Sequence, residues 1–396
     1  MNRKFWSLVL SLVLMSNGLG AALAATERPQ GVETFVTEQT DASRVSLGKM
    51  TGFEQEGSQV VFTAQNGRMA VSFLQDDMVR VRMAKAGEEF ACDADDVTGA
   101  IEKQEDEYAA VAVSVREENA RVVMRTESLT VSADPATLAL SYYTKDGALI
   151  TQNSDAAMSY DKEGEGKTVG FVRDAAGVEE HFFGLGSSGE GSDFSTLDWR
   201  NQAYELWLED ANIHAITPLY YSTAGYGIYL HSAYHGQMSF LDDPYELHVD
   251  GGELDYYFFY GPTIKEMLGD FTELSGYMNM PPKYALGVTL RGQSYWTEDM
   301  LIDKLGEFYD AGISIDTLGV EPGWHTASYP CTYAWSENFL DPQKFVERVH
   351  ALGARVNLWE HPYVHPHSEI YNAILPYSIN GSELYPRAGF ADGSAR

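Results

Sequence analysis

Two glutamates stand where chemistry could be done. Glu321 follows the apolar run ending at Val320 and opens the turn Glu321-Pro-Gly-Trp324, and Glu360 follows Trp359 after the run Ala354–Leu358. Two carboxylates facing one cleft, one protonated and one ionised, are the minimum for acid–base cleavage of a glycosidic bond. Trp296, Trp324, Trp359 and Tyr363 offer flat apolar faces that suit the C–H faces of a sugar ring, and Arg291 opens a polar cluster reaching Trp296. The same residues fit a plainer arrangement equally well, with the tryptophans as core and the glutamates paired to nearby cations. A second set is His361, His365, His367 and Glu360, with His325 nearby. Neutral imidazoles and a carboxylate are what zinc takes. Pro362 and Pro366 exclude a regular helix presenting these groups on one face. Loop histidines with satisfied hydrogen bonds, or contacts to sugar, are therefore preferred, and no metal or other cofactor is expected.

The elements around these residues read as strand, helix, strand, helix, strand. Tyr284–Leu290, Ile313–Val320 and Ala354–Leu358 are strand-like, while Glu298–Asp310 and Asp341–Leu352 are helix-like. That alternation predicts a parallel α/β sheet. Carboxylates and aromatics at the C-terminal ends of its strands would then form an active-site rim. Upstream, short alternating runs at Val60–Ala64, Met69–Phe73, Met78–Arg82, Ala109–Val115, Arg121–Arg125, Leu129–Val131 and Leu138–Tyr142 predict an antiparallel sandwich. Thr217–Ser222, Gly227–Leu230 and Asp255–Tyr260 continue it, and Thr263 with Glu266 forms a capping box for a helix over Ile264–Leu274. The segment Gly184–Gly189 matches G-x-G-x-x-G formally, but no helical period follows to receive a pyrophosphate, so a turn with close backbone approach is expected. The expected division is a signal peptide over 1–24, an N-terminal arm over 25–51, a β-sandwich over 52–280 and the α/β unit over 281–396.

Composition narrows the partners. The chain has 396 residues, 58 acidic and 27 basic, for a formal net charge of -31. Nucleic acid and anionic membrane surfaces are disfavoured, because both are polyanions. The basic Asn2-Arg3-Lys4, the apolar Phe5–Met15 and the small-residue site Ala22-Leu23-Ala24 predict a secretory signal, so a secreted or periplasmic location is expected. No later stretch is apolar enough to predict a membrane span. Cys92 and Cys331 fall in different expected domains, and two cysteines make no disulfide framework.

The ordered motifs resemble glycoside hydrolase family 31, the retaining α-glycosidases that include α-glucosidases and α-xylosidases. The resemblance runs over roughly Val60 to Tyr363. It rests on Met78–Arg82, His181–Gly186, Ile216–Gly227, Asp255–Pro262 with Leu274–Gly276 and Pro281–Lys283, Phe339–Pro342, and Leu358–Tyr363. It implies a galactose-mutarotase-like β-sandwich followed by a (β/α)8 TIM barrel, of which this chain would hold only the start. Family members place an aspartate nucleophile after barrel strand 4 and an aspartate acid/base after strand 6. Both would lie beyond Arg396, so the chain is expected to be a fragment. Glu321, Trp324, Trp359, Glu360, His361 and Arg291 then become substrate-binding residues. Two departures put glucose specificity in question. The strand-2 signature is Val320-Glu321-Pro-Gly-Trp324, and Asn201-Gln-Ala203 lacks the aspartate the family often sends into the pocket. A carbohydrate-binding protein without chemistry is the alternative.

Overall fold

The computed structural model describes residues 44–91, 98–187, 198–206, 215–360 and 363–375. It forms two compact units, one over Thr37–Met278 and one from Asn279 onward.

The first unit is a pair of antiparallel sheets. One runs, in spatial order, Phe182–Ser187, Ala215–Ser222, Tyr226–Leu230, Leu254–Tyr260, Met78–Lys85, Gly67–Phe73, Gln59–Ala64 and Met50–Glu56. The other runs Ala203–Glu205, Gly236–Ser239, Tyr245–Val249, Lys167–Phe171, Leu149–Asp161, Leu140–Thr144, Leu129–Ala133, Arg121–Arg125 and Ser114–Glu118, with Arg44–Ser46 added on Leu149–Asp161. Successive side chains of a strand point to opposite faces. Tyr256 and Phe258 therefore join Phe62, Val81, Phe171 and Tyr245 in the main core. Tyr257 and Phe259 point the other way and pack with Met267 and Leu274 of the helix Ile264–Ser275. Burial on both faces explains why Leu254–Tyr260 reads as an apolar run rather than an alternation. Thr263 caps that helix as its spacing predicts, accepting from the Glu266 amide while its own amide donates to Glu266 Oε2 at 3.0 Å. Such a cap contributes about 1 kcal/mol.

Three tyrosines of the main core satisfy one another's hydroxyls, as buried hydroxyls favour. Tyr220 and Tyr226 both bond the Tyr245 hydroxyl, at 2.8 and 2.7 Å, and Tyr226 also donates to Glu180 Oε1. Burial raises the carboxyl pKa of Glu180, against the hydrogen bonds from Ser222 and Tyr226.

Several expectations shift here. The arm expected over 25–51 already contributes to the sheets from residue 44, since Arg44–Ser46 pairs with Ser159–Asp161 and Met50 begins a strand. Those strands are too short or too irregular to show alternation. Gly184–Ser187 is not a turn; it lies in Phe182–Ser187, paired to Ala215–Ser222 with a register shift between Gly184 and Gly186. Close approach is the reason for glycine at both positions. A Cβ on Gly184 would lie 2.4 Å from the Leu219 carbonyl oxygen, and one on Gly186 2.5 Å from that of Ala215. The run Ala109–Val115 becomes a strand only over Ser114–Glu118.

Among its described residues the second unit holds three parallel strands, Thr289–Arg291, Thr317–Val320 and Arg355–Leu358, in that order. Leu290, Leu318, Val320, Val356 and Leu358 pack against Leu301 and Leu305 of the helix Glu298–Asp310, and against Phe345 and Val349 of the helix Pro342–Ala351. Thr297 and Asp341 cap these helices by accepting from the amides of Met300 and Lys344. The opposite strand parity carries Thr289, Arg291, Arg355 and Asn357, all exposed. The first strand is shorter than its apolar run. Lys283–Leu286 forms a 3-10 turn, and pairing starts after Gly287, where the Val288 amide donates to Asp316 Oδ2 at 3.0 Å.

Candidate functional site

Arg291 ends the first parallel strand, and Glu321 is the residue immediately after the second. The register sets Arg291 opposite Gly319, two residues before Glu321. A guanidinium of that reach grips both carboxylate oxygens, Nε to Oε1 at 2.5 Å and Nη2 to Oε2 at 3.0 Å. The Glu321 side chain is only 13% exposed, whereas that of Arg291 is 73% exposed. The hydrogen bond to Glu321 raises the Arg291 pKa above its usual value. A bidentate pair of this kind fixes the carboxylate's direction as well as its charge.

Trp324 stands on the 3-10 turn Pro322–Trp324 and is buried. Its indole Nε1 donates to the Trp359 carbonyl at 2.8 Å, and the Trp359 amide donates to the Val320 carbonyl at 2.8 Å. The loops after the second and third strands are thereby joined. Gly323 is required for this geometry, since a Cβ there would sit 1.6 Å from the Ser294 carbonyl oxygen. Trp324 stacks on His325 at 3.7 Å and packs on Trp335 at 4.9 Å. The Tyr333 amide donates to His325 Nδ1 at 3.2 Å, which places the ring proton of the neutral imidazole on Nε2. Burial lowers the His325 pKa, partly opposed by the Trp359 backbone.

The structure therefore brings Arg291, Glu321, Trp324 and Trp359 together. Glu360 follows Trp359 and is exposed, and its charge helps raise the Tyr333 pKa, behind burial and Cys331. Trp296 is half-buried and packs on the core beneath the strands. His361 and Cys92 lie outside the described residues. His365 is buried, and its Nδ1 accepts from the His367 amide at 3.0 Å, with the two rings 5.0 Å apart. Among the described residues, no group of three or more His, Cys, Asp or Glu is arranged to hold a metal ion.

Two groupings have no sequence signal strong enough to single them out. One is the loop Ser328–Tyr333, whose Tyr329 ring meets Trp359 at 5.0 Å and an interplanar angle of 61°. The other is buried in the first unit. Arg80 donates to Asp255 Oδ1 at 3.0 Å through Nε, to Oδ2 at 2.7 Å through Nη2, and to Glu105 at 2.9 Å. His231 bonds Asp255 at 3.0 Å and Thr98 at 2.9 Å. Burial would raise the Asp255 pKa, but the Arg80 charge and the bonds from His231 and Arg80 prevail and hold it at about 2. The one available signal is Arg80 and Arg82 two residues apart in an apolar strand, which places both on one face.

The architecture is thus a two-sheet sandwich followed along the chain by parallel strand–helix units, with a charged and aromatic rim at the strand ends. The glycosyl hydrolase 31 N-terminal galactose mutarotase-like domain matches residues 68–238, and the glycosyl hydrolases family 31 TIM-barrel domain matches residues 278–384. The chain belongs to glycoside hydrolase family 31. It is 25% identical over 242 residues to the α-xylosidase XylQ of Lactiplantibacillus pentosus, covering 58% of this chain and 31% of that protein. It is 27% identical over 292 residues to α-glucosidase 2 of Bacillus thermoamyloliquefaciens, covering 70% of this chain and 35% of that protein. The chain thus spans about a third of the length of these relatives. The glucose complex of the family 31 dextranase of Flavobacterium johnsoniae superposes with a TM-score of 0.74 at 22% identity, over 86% of this chain and 42% of that one. A family 31 α-xylosidase from a soil metagenome, complexed with xylose, gives 0.70 at 18% identity, over 82% and 49%. These likenesses establish the fold: a mutarotase-like sandwich followed by the first strands of a TIM barrel. Among the described residues no helix is long and apolar enough to cross a membrane.

Proposed function

We propose that the protein acts, as a whole, as a retaining α-glycosidase that removes terminal α-linked sugars from oligosaccharides or glycans. The observation that carries this reading is the Arg291–Glu321 pair beside Trp359 at the C-terminal ends of adjacent parallel strands. The carboxylate there is fixed in direction and keeps lone pairs for sugar hydroxyls, and the indole offers a face for the ring. On this reading Glu321 and Glu360 bind hydroxyls, and Trp324 positions Trp359. The bond-breaking pair is assigned to other carboxylates, about 5–5.5 Å apart by the retaining geometry. Family membership and the likeness to an α-xylosidase and an α-glucosidase support the chemistry. The segment from Asn2 to Ala24 supports export.

The test is turnover of p-nitrophenyl α-glycosides by the full-length protein, with the first product anomer read by proton NMR. Release of the α-anomer is expected. Sugar binding without turnover would replace the reading with a non-catalytic carbohydrate-binding protein. N-terminal sequencing of the secreted protein tests export, with a new terminus near Ala25 as the expected result.

A further inference from the structure

The loop Ser328–Tyr333 is built into the rim from both sides. The Ser328 hydroxyl donates to the Pro322 carbonyl at 2.8 Å, one residue from Glu321. The Cys331 amide donates to the Tyr363 carbonyl at 2.9 Å, and the His365 amide returns to the Cys331 carbonyl at 2.8 Å. Thr326 and Thr332 close the loop base through their hydroxyls at 2.7 Å. Tyr329 is thus held between the loops that carry Glu321 and Trp359. Tyr329 is 40% exposed and its ring stands edge-on to Trp359, so the two rings make an aromatic corner. The charges of Glu321 and Arg291 both act on its phenol, the first raising and the second lowering its pKa, with burial the larger cause of a net rise.

We infer that Tyr329 is a specificity-determining residue, the side wall of a sugar subsite whose floor is Trp359. This rests on the glycosidase reading. A ring lying on Trp359 meets the Tyr329 wall with its exocyclic substituent, so the wall discriminates by the bulk carried there. A pentose presents a hydrogen at that carbon and a hexose a hydroxymethyl group. The phenol is a second handle for a hydroxyl already near Glu321. No residue of the wall belongs to the bond-breaking pair, so its effect falls on the choice of sugar rather than on the chemistry.

The experiment compares kcat/KM for p-nitrophenyl α-D-xylopyranoside and α-D-glucopyranoside in the full-length wild type, Tyr329→Ala, Tyr329→Phe and Tyr329→Trp. Removing the wall should raise the hexoside-to-pentoside ratio about tenfold, the scale on which a pocket senses one carbon. Tyr329→Trp should lower the ratio, and Tyr329→Phe should leave it close to wild type while raising KM for both. Tyr329→Trp keeps the test decisive should the alanine variant fail to fold. An active wild type whose ratio is unmoved in both Ala and Trp variants overturns this inference and leaves the glycosidase reading standing. A wild type that turns over some other α-glycoside but neither of these two overturns this inference alone, and one that turns over no α-glycoside overturns that reading and this inference with it.

Discussion

Arg291 and Glu321, thirty residues apart in sequence, meet as a bidentate pair at the ends of adjacent parallel strands. The carboxylate is the largely buried member and the guanidinium the exposed one. The cation therefore serves to hold the anion's direction more than to stabilise the fold, since an exposed partner is screened. Arg291→Lys keeps the charge but cannot hold both oxygens from a planar fork. It should raise KM for an α-glycoside roughly tenfold with little change in kcat, the pattern of lost uniform binding. Steady-state kinetics on the full-length protein decides this, and an unchanged KM would remove Glu321 from the subsite.

His325 gives a pH dependence whose sign follows from its surroundings. Burial lowers its folded pKa below the ordinary histidine value, against a smaller opposing effect of the Trp359 backbone. The groups around it are the rings of Trp324, Tyr333 and Trp359, with Cys331 and Glu360 acting on Tyr333. A folded pKa below the unfolded one means that the unfolded chain binds the proton more readily. Stability is then fully present above an unfolded value of about 6.5 and is lost as pH falls below it toward the folded pKa. Protonation would also set an N–H of Nδ1 against the Tyr333 N–H that now donates to it. Thermal melts followed by tryptophan fluorescence should show a decline from about pH 7 to about pH 5 that is smaller in His325→Asn. Equal slopes in both proteins would sink the assignment.

Much of the second unit is legible in the sequence because its signals are local. Glu298–Asp310 stands out as a helix-like run between two apolar strands, and the structure begins and ends it at those residues. Arg291, Glu321 and Trp359 are visible as polar or aromatic residues just past apolar runs. Tyr329 is not, because its place comes from bonds to Pro322, Tyr363 and His365 that no period encodes. The strand Leu149–Asp161 is hidden for a different reason. Its centre is polar, yet Thr151 and Asn153 are buried, and Asn153 accepts from the Leu140 amide and donates to the Gly170 carbonyl beside a register shift. Buried polar residues that mend a sheet irregularity look like surface in a sequence.

Asp255 should matter to the fold far more than its place outside the rim suggests. Asp255→Asn would leave Arg80, whose side chain is 4% exposed, short of its main counter-charge. Breaking a buried pair from one side costs about 3–5 kcal/mol. The carboxylate is held at about 2 in the folded protein, against about 3.9 in an unfolded chain. Its contribution is therefore complete above about pH 3.9 and fades as pH falls toward the folded value. Urea unfolding near pH 7 should show the loss in Asp255→Asn, and the variant's stability should vary less between about pH 4 and about pH 2. A variant as stable as wild type at neutral pH would mean that Glu105 and the other contacts of Arg80 satisfy it without Asp255.

Gly323 offers the sharpest separation of site from scaffold. Any side chain there must displace the Ser294 backbone, because a Cβ would come within 1.6 Å of the Ser294 carbonyl oxygen, far inside van der Waals distance. Backbone, unlike the tip of a flexible side chain, cannot swing aside. The loop after the first strand and the turn carrying Trp324 would part. The Trp324 indole would then leave the Trp359 carbonyl, which it now meets at 2.8 Å, and the Ser336 hydroxyl would lose the Gly323 carbonyl at 2.7 Å. The sandwich core contains none of these residues. Gly323→Ala should therefore raise KM for an α-glycoside by more than about tenfold, as loss of positioning by an ångström does. Hydrogen exchange in Met78–Lys85 and Leu254–Tyr260 should stay as slow as in wild type. Fast exchange in those strands would show that the substitution acts on folding as a whole. Unaltered kinetics would show that the rim tolerates separation of its two loops, contrary to the geometry that joins Trp324 to Trp359.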